Sequence, residues 1–297
     1  MSTRMIPTDV PFSFAAAARA ARAALQWRLL LLWVLWMLIP TAIVGLTVFR
    51  TLSVQLDYSV HAAAIARQLD MTVFADLMAA HGKNAAAFNV AGLMGLTVTL
   101  LMSPLLSGMA ATAARAPETL GFRALTAGAL TEYPRMLRML LWSAVPLGIA
   151  LALGSLAIDA AADMDQAAIV ESDGAPFKYA ALALTALLLA LAHATLDAGR
   201  AALAIERRRT SAVKAWWSGC ALLLRLPLAG FGMYAVISLV GFSIAAALAL
   251  ARLNVSGAGL AGFIGALLLV QLAVAVLGWM RSARLFALVE LARSQRA

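Results

Sequence analysis

The chain has 297 residues, of which 63% are hydrophobic and 12% charged, against roughly 45–50% and about 25% in an ordinary soluble domain. That balance excludes a water-soluble fold, which would have no polar surface to present. The formal net charge of +9 invites a nucleic-acid reading, but the basic residues lie between apolar stretches rather than on one folded face, so no nucleic-acid partner is expected.

Six apolar stretches, at 29–49, 87–110, 138–160, 179–199, 228–251 and 258–280, are each long enough to cross about 30 Å of hydrocarbon as a helix, which takes about 20 residues. The expected fold is all-α, a polytopic six-helix transmembrane bundle with amphipathic interfacial helices. Residues 1–28 read as a cytoplasmic amphipathic N-terminal segment, 29–280 as the six-span domain and 281–297 as a cytoplasmic basic tail. The first apolar run continues into Thr47-Val48-Phe49-Arg50 rather than an A-x-A site, and reads as a retained span rather than a cleaved signal.

Charge orients the bundle. Four Lys and Arg precede the first span, four follow the second, six follow the fourth and four follow the sixth, while the opposite connections hold only Arg50, Arg67, Lys83, Lys178 and Arg252. By the positive-inside rule both ends of the chain are then cytoplasmic. Asp159, Asp163, Asp165, Glu171 and Asp173 gather in the outer connection between spans three and four. They read as a solvated loop, with a hard-cation site as the alternative. His61 and His81 read as solvated in the first outer segment, where Asp70 to Leu77 has the spacing of a short surface helix.

Phe14 to Arg28, Phe122 to Arg138 and Val213 to Arg225 each place a small-residue, basic segment before an odd-numbered span. Arg200-Ala-Ala-Leu-Ala-Ile-Glu206 closes span four and Arg284-Leu-Phe-Ala-Leu-Val-Glu290 closes span six with the same Arg-to-Glu spacing. Together these predict three two-span units in one orientation, hence parallel repeats. Leu120 to Leu140 and Thr210 to Leu224 mix cations with apolar and aromatic residues, as helices lying in the headgroup plane do. Trp216, Trp217 and Trp279 read as interfacial anchors, and a docking face for a soluble partner is the other reading of that surface.

Span four carries the intramembrane polar constellation: His193, Asp197 and Arg200, at i, i+4 and i+7 on one face. Charged groups within a bilayer face a bundle interior or a wet cavity. The triplet reads either as a network that fixes the helix end or as a substrate or proton path in which His193 titrates. Pro40, Pro104, Pro146 and Pro227 interrupt or border spans. Gly257, Ala261 and Gly265 give the start of span six a smooth face for packing within the monomer or for homodimerisation. Asn254-Val255-Ser256 matches a glycosylation sequon in a tight turn and reads as a chance match. Cys220 is the one cysteine, which excludes an intramolecular disulfide and a multi-cysteine metal site. No phosphate loop, H-E-x-x-H or G-x-S-x-G is present, so no catalytic residues, metal or cofactor are expected.

Leu106-Ser107-Gly108-Met109, the Phe122 to Arg138 stretch, and Asp197-Ala-Gly-Arg200 with Ala212 to Pro227 resemble a group of bacterial six-span proteins. That group includes the membrane domain that precedes the catalytic domain in some glycerophosphoryl diester phosphodiesterases. The catalytic barrel has no counterpart here, so the resemblance implies a membrane module and not a hydrolase. The leading expectation is a non-enzymatic scaffold or accessory component of envelope machinery. The alternative is a transporter or permease subunit in which His193, Asp197 and Arg200 line a path, and a third reading is a lipid-modifying enzyme. Expected partners are membrane lipids, with a homo-oligomer or a membrane complex possible in either case. The bias to Ala, and to Arg over Lys, places the chain in a bacterial cytoplasmic membrane.

Overall fold

The computed structural model describes residues 13–56, 82, 84–167, 171–255 and 259–295. Among them are eight helices and no strand: α1 (Phe14–Ala23), α2 (Trp27–Leu56), α3 (Ala85–Arg115), α4 (Phe122–Ala167), α5 (Glu171–Ile205), α6 (Ala212–Arg225), α7 (Pro227–Leu253) and α8 (Gly259–Ser294). All except α1 and α6 are long and apolar enough to cross a membrane, which makes this a multi-pass membrane protein by length and composition. The expected all-α six-span class is the observed one. His61, His81, Gly257 and the 70–77 segment lie outside the described residues.

Local chemistry sets the helix boundaries. Ser13 and Ser211 cap α1 and α6, accepting the amides of Ala16 at 3.4 Å and Lys214 at 3.3 Å, as short hydroxyl residues do for otherwise unpaired helix N–H groups. Leu226 leaves the helical region (φ −130, ψ 62) and Pro227 starts α7, because proline disfavours helical backbone before it and suits the first helical position. Pro40, Pro104, Pro134 and Pro146 lie inside continuous helices. Each removes one backbone donor without ending the segment, which membrane helices tolerate.

Two sequence-derived boundaries move. The 120–140 segment is not a separate helix, since Phe122 begins a helix that runs unbroken to Ala167. Its Leu125, Ala129, Glu132, Met136 and Met139 are buried in protein. The 281–297 stretch is no free tail: α8 continues to Ser294, and Ser282 to Val289 are buried. The acidic residues expected in a loop instead sit on helix ends, where Asp165 accepts an ion pair from Lys178 at 2.6 Å.

Core packing is concentrated at the end where Arg115, Arg135, Arg200 and Arg284 gather, called the basic end below. One apolar cluster joins α1, α2, α3, α4, α7 and α8 around Leu29, Met109, Leu125 and Phe286. A second joins α3, α4, α5, α6 and α8 around Met139, Leu196, Leu203 and Leu288. The second helix of each proposed pair, α3, α5 and α8, contacts the other two, so these three form the centre. α6 lies directly on α5: a Cβ at Gly219 would meet the Gly199 nitrogen at 2.5 Å. α1 folds back on α8, with Ala17 and Ala20 buried and Trp279 donating its indole N–H to the Ala21 carbonyl at 2.8 Å.

Candidate functional site: a cavity ending on buried arginines

The charged centre lies where α5 meets α8. Arg200 donates to Asp197 Oδ1 at 2.6 Å from one turn along α5, and Arg284 of α8 brings its Nε to 3.5 Å from Oδ2. Asp197 is 7% and Arg284 8% exposed. Arg284 Nη1 donates to the Tyr234 hydroxyl at 3.1 Å and to Ser238 Oγ at 3.3 Å, and its guanidinium lies 4.7 Å from the Tyr234 ring centre. Arg281, one turn before Arg284, stands 5.9 Å from the Trp33 ring and shares a small space with Asp197 and Arg200. Three guanidiniums therefore gather around one carboxylate.

Above this centre, away from the basic end, a cavity of about 1050 Å³ lies between α2, α3, α5, α7 and α8. Its walls are mainly apolar, with Met37, Val44, Leu189, Val274 and Leu277 among them, and its floor includes Arg281, Arg284, Tyr234 and Ser238. Trp33 closes one side, seated against Gly278, where an added Cβ would fall 2.7 Å from the indole. Val44 and Phe242 line the cavity and are exposed, so it opens on its flank. The chain from Trp33 to Gly45 spans about 18 Å at 1.5 Å per residue. Volume and lining match an apolar ligand site with a few placed polar groups.

The structure separates the residues grouped by sequence. Asp197 and Arg200 do meet, whereas His193 lines the cavity and no hydrogen bond joins it to Asp197. Arg281, Arg284, Tyr234 and Ser238 come from distant helices and were not singled out as site residues. The one sequence signal for them is the matching Arg-to-Glu spacing that begins at Arg284. Trp216 and Trp279 turn into the protein: Trp216 donates to Thr195 Oγ1 at 3.1 Å and packs edge-on to Trp142, and Trp279 holds α1. Of the three tryptophans expected as surface anchors, Trp217 is exposed, at 62%. Ala261 is exposed, and a Cβ added at Gly265 would come no nearer than 3.8 Å to another described residue, Val255, so these two positions are not closely packed among the described residues. Asn254 donates its side-chain amide to the Leu250 carbonyl.

A second buried network, absent from the sequence reading, braces the basic end. Glu132, 2% exposed, accepts Arg115 at 2.7 Å and Arg135 at 2.5 Å on its two oxygens. Arg135 also donates to the carbonyls of Leu203 at 2.7 Å, Glu206 at 2.6 Å and Arg209 at 3.0 Å, and Arg115 to that of Ala204 at 3.2 Å. The Leu203 and Ala204 carbonyls lie in the last turn of α5, where carbonyls have no intrahelical partner, and cations suit a helix C-terminus; those of Glu206 and Arg209 belong to the connection that follows. Among the described residues no group of three or more His, Cys, Asp or Glu is placed to hold a metal.

No protein-family model, no curated protein and no solved structure matches the chain.

Proposed function

We propose that this chain is a non-enzymatic protein of the bacterial cytoplasmic membrane, with both ends cytoplasmic, that binds an amphipathic small molecule within its bundle. On this reading it serves as a carrier or permease-type component rather than a passive scaffold. The observation that carries this is the cavity with apolar walls and a cationic floor: a bundle selected only for packing gains nothing from space of that size, since protein interiors close to crystal-like density. The cytoplasmic orientation is supported by the distribution of Lys and Arg. Kinship with the membrane domain of glycerophosphoryl diester phosphodiesterases is supported by the sequence stretches that resemble it, and fits a lipid-handling role.

The test is recovery of the ligand. Protein extracted with native lipid should release a defined amphiphile to mass spectrometry, and Gly45→Trp with Ala190→Phe, which fill the cavity, should abolish its recovery. Gly45 lines the cavity and has no atom within 4 Å of its Cβ position, so a side chain there starts into open space. Equal recovery from the filled variant, or none from the wild type, overturns the proposal and returns the scaffold reading, for which the self-sufficient network at Glu132 speaks.

A further inference from the structure

We propose that Arg281 and Arg284 form an anion subsite at the floor of the cavity, and that its ligand is an amphiphile whose phosphate or carboxylate headgroup meets these guanidiniums while its apolar chain lies along α2 and α8. This rests on the cavity reading above and names the ligand's chemistry.

Charge supplies the first argument. Asp197 is the one carboxylate at the centre, and it serves Arg200 and Arg284. Among the described residues Arg281, half-buried on the cavity floor, has no ion pair and no hydrogen bond, while Arg284 turns its Nε to Asp197 at 3.5 Å. A cationic donor held largely away from water without an acceptor is costly to maintain. An oxyanion at the floor of the cavity supplies what the protein leaves unmet, and paired guanidiniums suit phosphate and carboxylate geometry.

Placement supplies the second. Arg281 and Arg284 are three residues apart on α8, hence on one helical face, and both line the cavity. Arg281 lies 22 residues beyond Gly259, about 33 Å along the helix, which is one hydrocarbon thickness. The subsite therefore stands at headgroup depth, and the apolar walls above it at acyl-chain depth. A free inorganic anion would leave those walls unused. Pre-organisation is the third: Asp197, Tyr234 and Ser238 hold Arg284 from the protein side, so the guanidinium is oriented before a ligand arrives.

The experiment titrates the purified full-length protein in nonionic detergent with four probes: a monoacyl glycerol phosphate, the matching monoacyl phosphocholine, the matching neutral monoacylglycerol, and inorganic phosphate. The phosphate monoester should bind about ten-fold or more tightly than the neutral lipid, and the choline ester should lie nearer the neutral one. Inorganic phosphate alone should not bind measurably. Arg281→Gln should remove the preference and keep neutral-lipid binding, which shows that the variant is folded, and Arg281→Lys should restore part of it. Equal binding of monoester and neutral lipid, or a preference that survives Arg281→Gln, overturns the subsite while the cavity reading stands. Binding of inorganic phosphate as tight as that of the monoester makes the ligand a free anion and overturns the amphiphile. Failure of every chain-bearing probe overturns the cavity reading as well.

Discussion

Arg200 and Arg284 occupy matching positions near the ends of α5 and α8, each six residues before a glutamate, and they approach opposite oxygens of one carboxylate, Asp197. The sequence correspondence is thus a spatial one. Two of the proposed two-span units meet at a shared anion supplied by only one of them, and the bundle centre carries a surplus of positive charge.

Asp197→Asn leaves two buried guanidiniums without their counter-ion, and breaking one side of a buried pair costs about 3–5 kcal/mol. A marked fall in thermal stability in detergent is expected. Asp197→Asn with Arg200→Gln should recover part of it, and only part, because Arg284 remains. An unchanged melting temperature for the single variant would show that Asp197 is not the anchor of the centre.

Arg135 caps α5 through three carbonyls and steadies the 206–211 connection. Arg135→Gln should speed tryptic cleavage at Arg207 and Arg208 in purified protein several-fold, and Glu132→Gln should do the same by releasing Arg115 and Arg135 together. Cleavage at the wild-type rate in both variants would contradict the bracing role.

Gly219→Ala places a methyl against the α5 backbone and should destabilise by about 1–3 kcal/mol, the usual cost of overpacking. Gly92→Ala is the control: no atom lies within 4 Å of its Cβ position, and the better helix propensity of alanine favours it by up to about 1 kcal/mol. Thermal unfolding of the pair separates contact from propensity, and equal shifts would argue against direct contact of α6 with α5.

Orientation is tested by single cysteines in a Cys220→Ser background. An impermeant maleimide should label Asp163→Cys in intact cells and Ser294→Cys only after permeabilisation. The reverse pattern inverts every inside and outside assignment.

Cys220 is half-buried on α6, and burial pushes its thiol pKa above the ordinary value. Only the thiolate reacts, so alkylation should be slower than that of an exposed cysteine at neutral pH. The rate should reach half its maximum above about pH 8.5, where a free thiol is already half ionised. A rate that levels off at or below that pH would contradict the shift.

Span number was legible because a long apolar run has few other uses. The Asp197 to Arg200 pair was legible because one turn of helix fixes its spacing. Arg284 and Tyr234 were not, since their approach to Asp197 depends on how α5, α7 and α8 pack. The 122–138 stretch and Trp216 misled for one reason: a basic amphipathic helix shows the same pattern whether its apolar face meets lipid or protein. Only the burial of Leu125, Glu132 and Met139 tells these apart. Glu132 is the one acid in that stretch, a sign that it is paired inside.

The folding back of α1 on α8 bears on the order in which the molecule is built. The buried face of α1 packs largely on α8, and Asp197 receives its second cation from the same helix, so neither is complete while the ribosome has delivered the chain only as far as α7. During synthesis the nascent chain must shelter an amphipathic segment and a half-neutralised carboxylate until α8 arrives. Arrival of that one helix then closes the clasp, the charge cluster and a wall of the cavity in a single step.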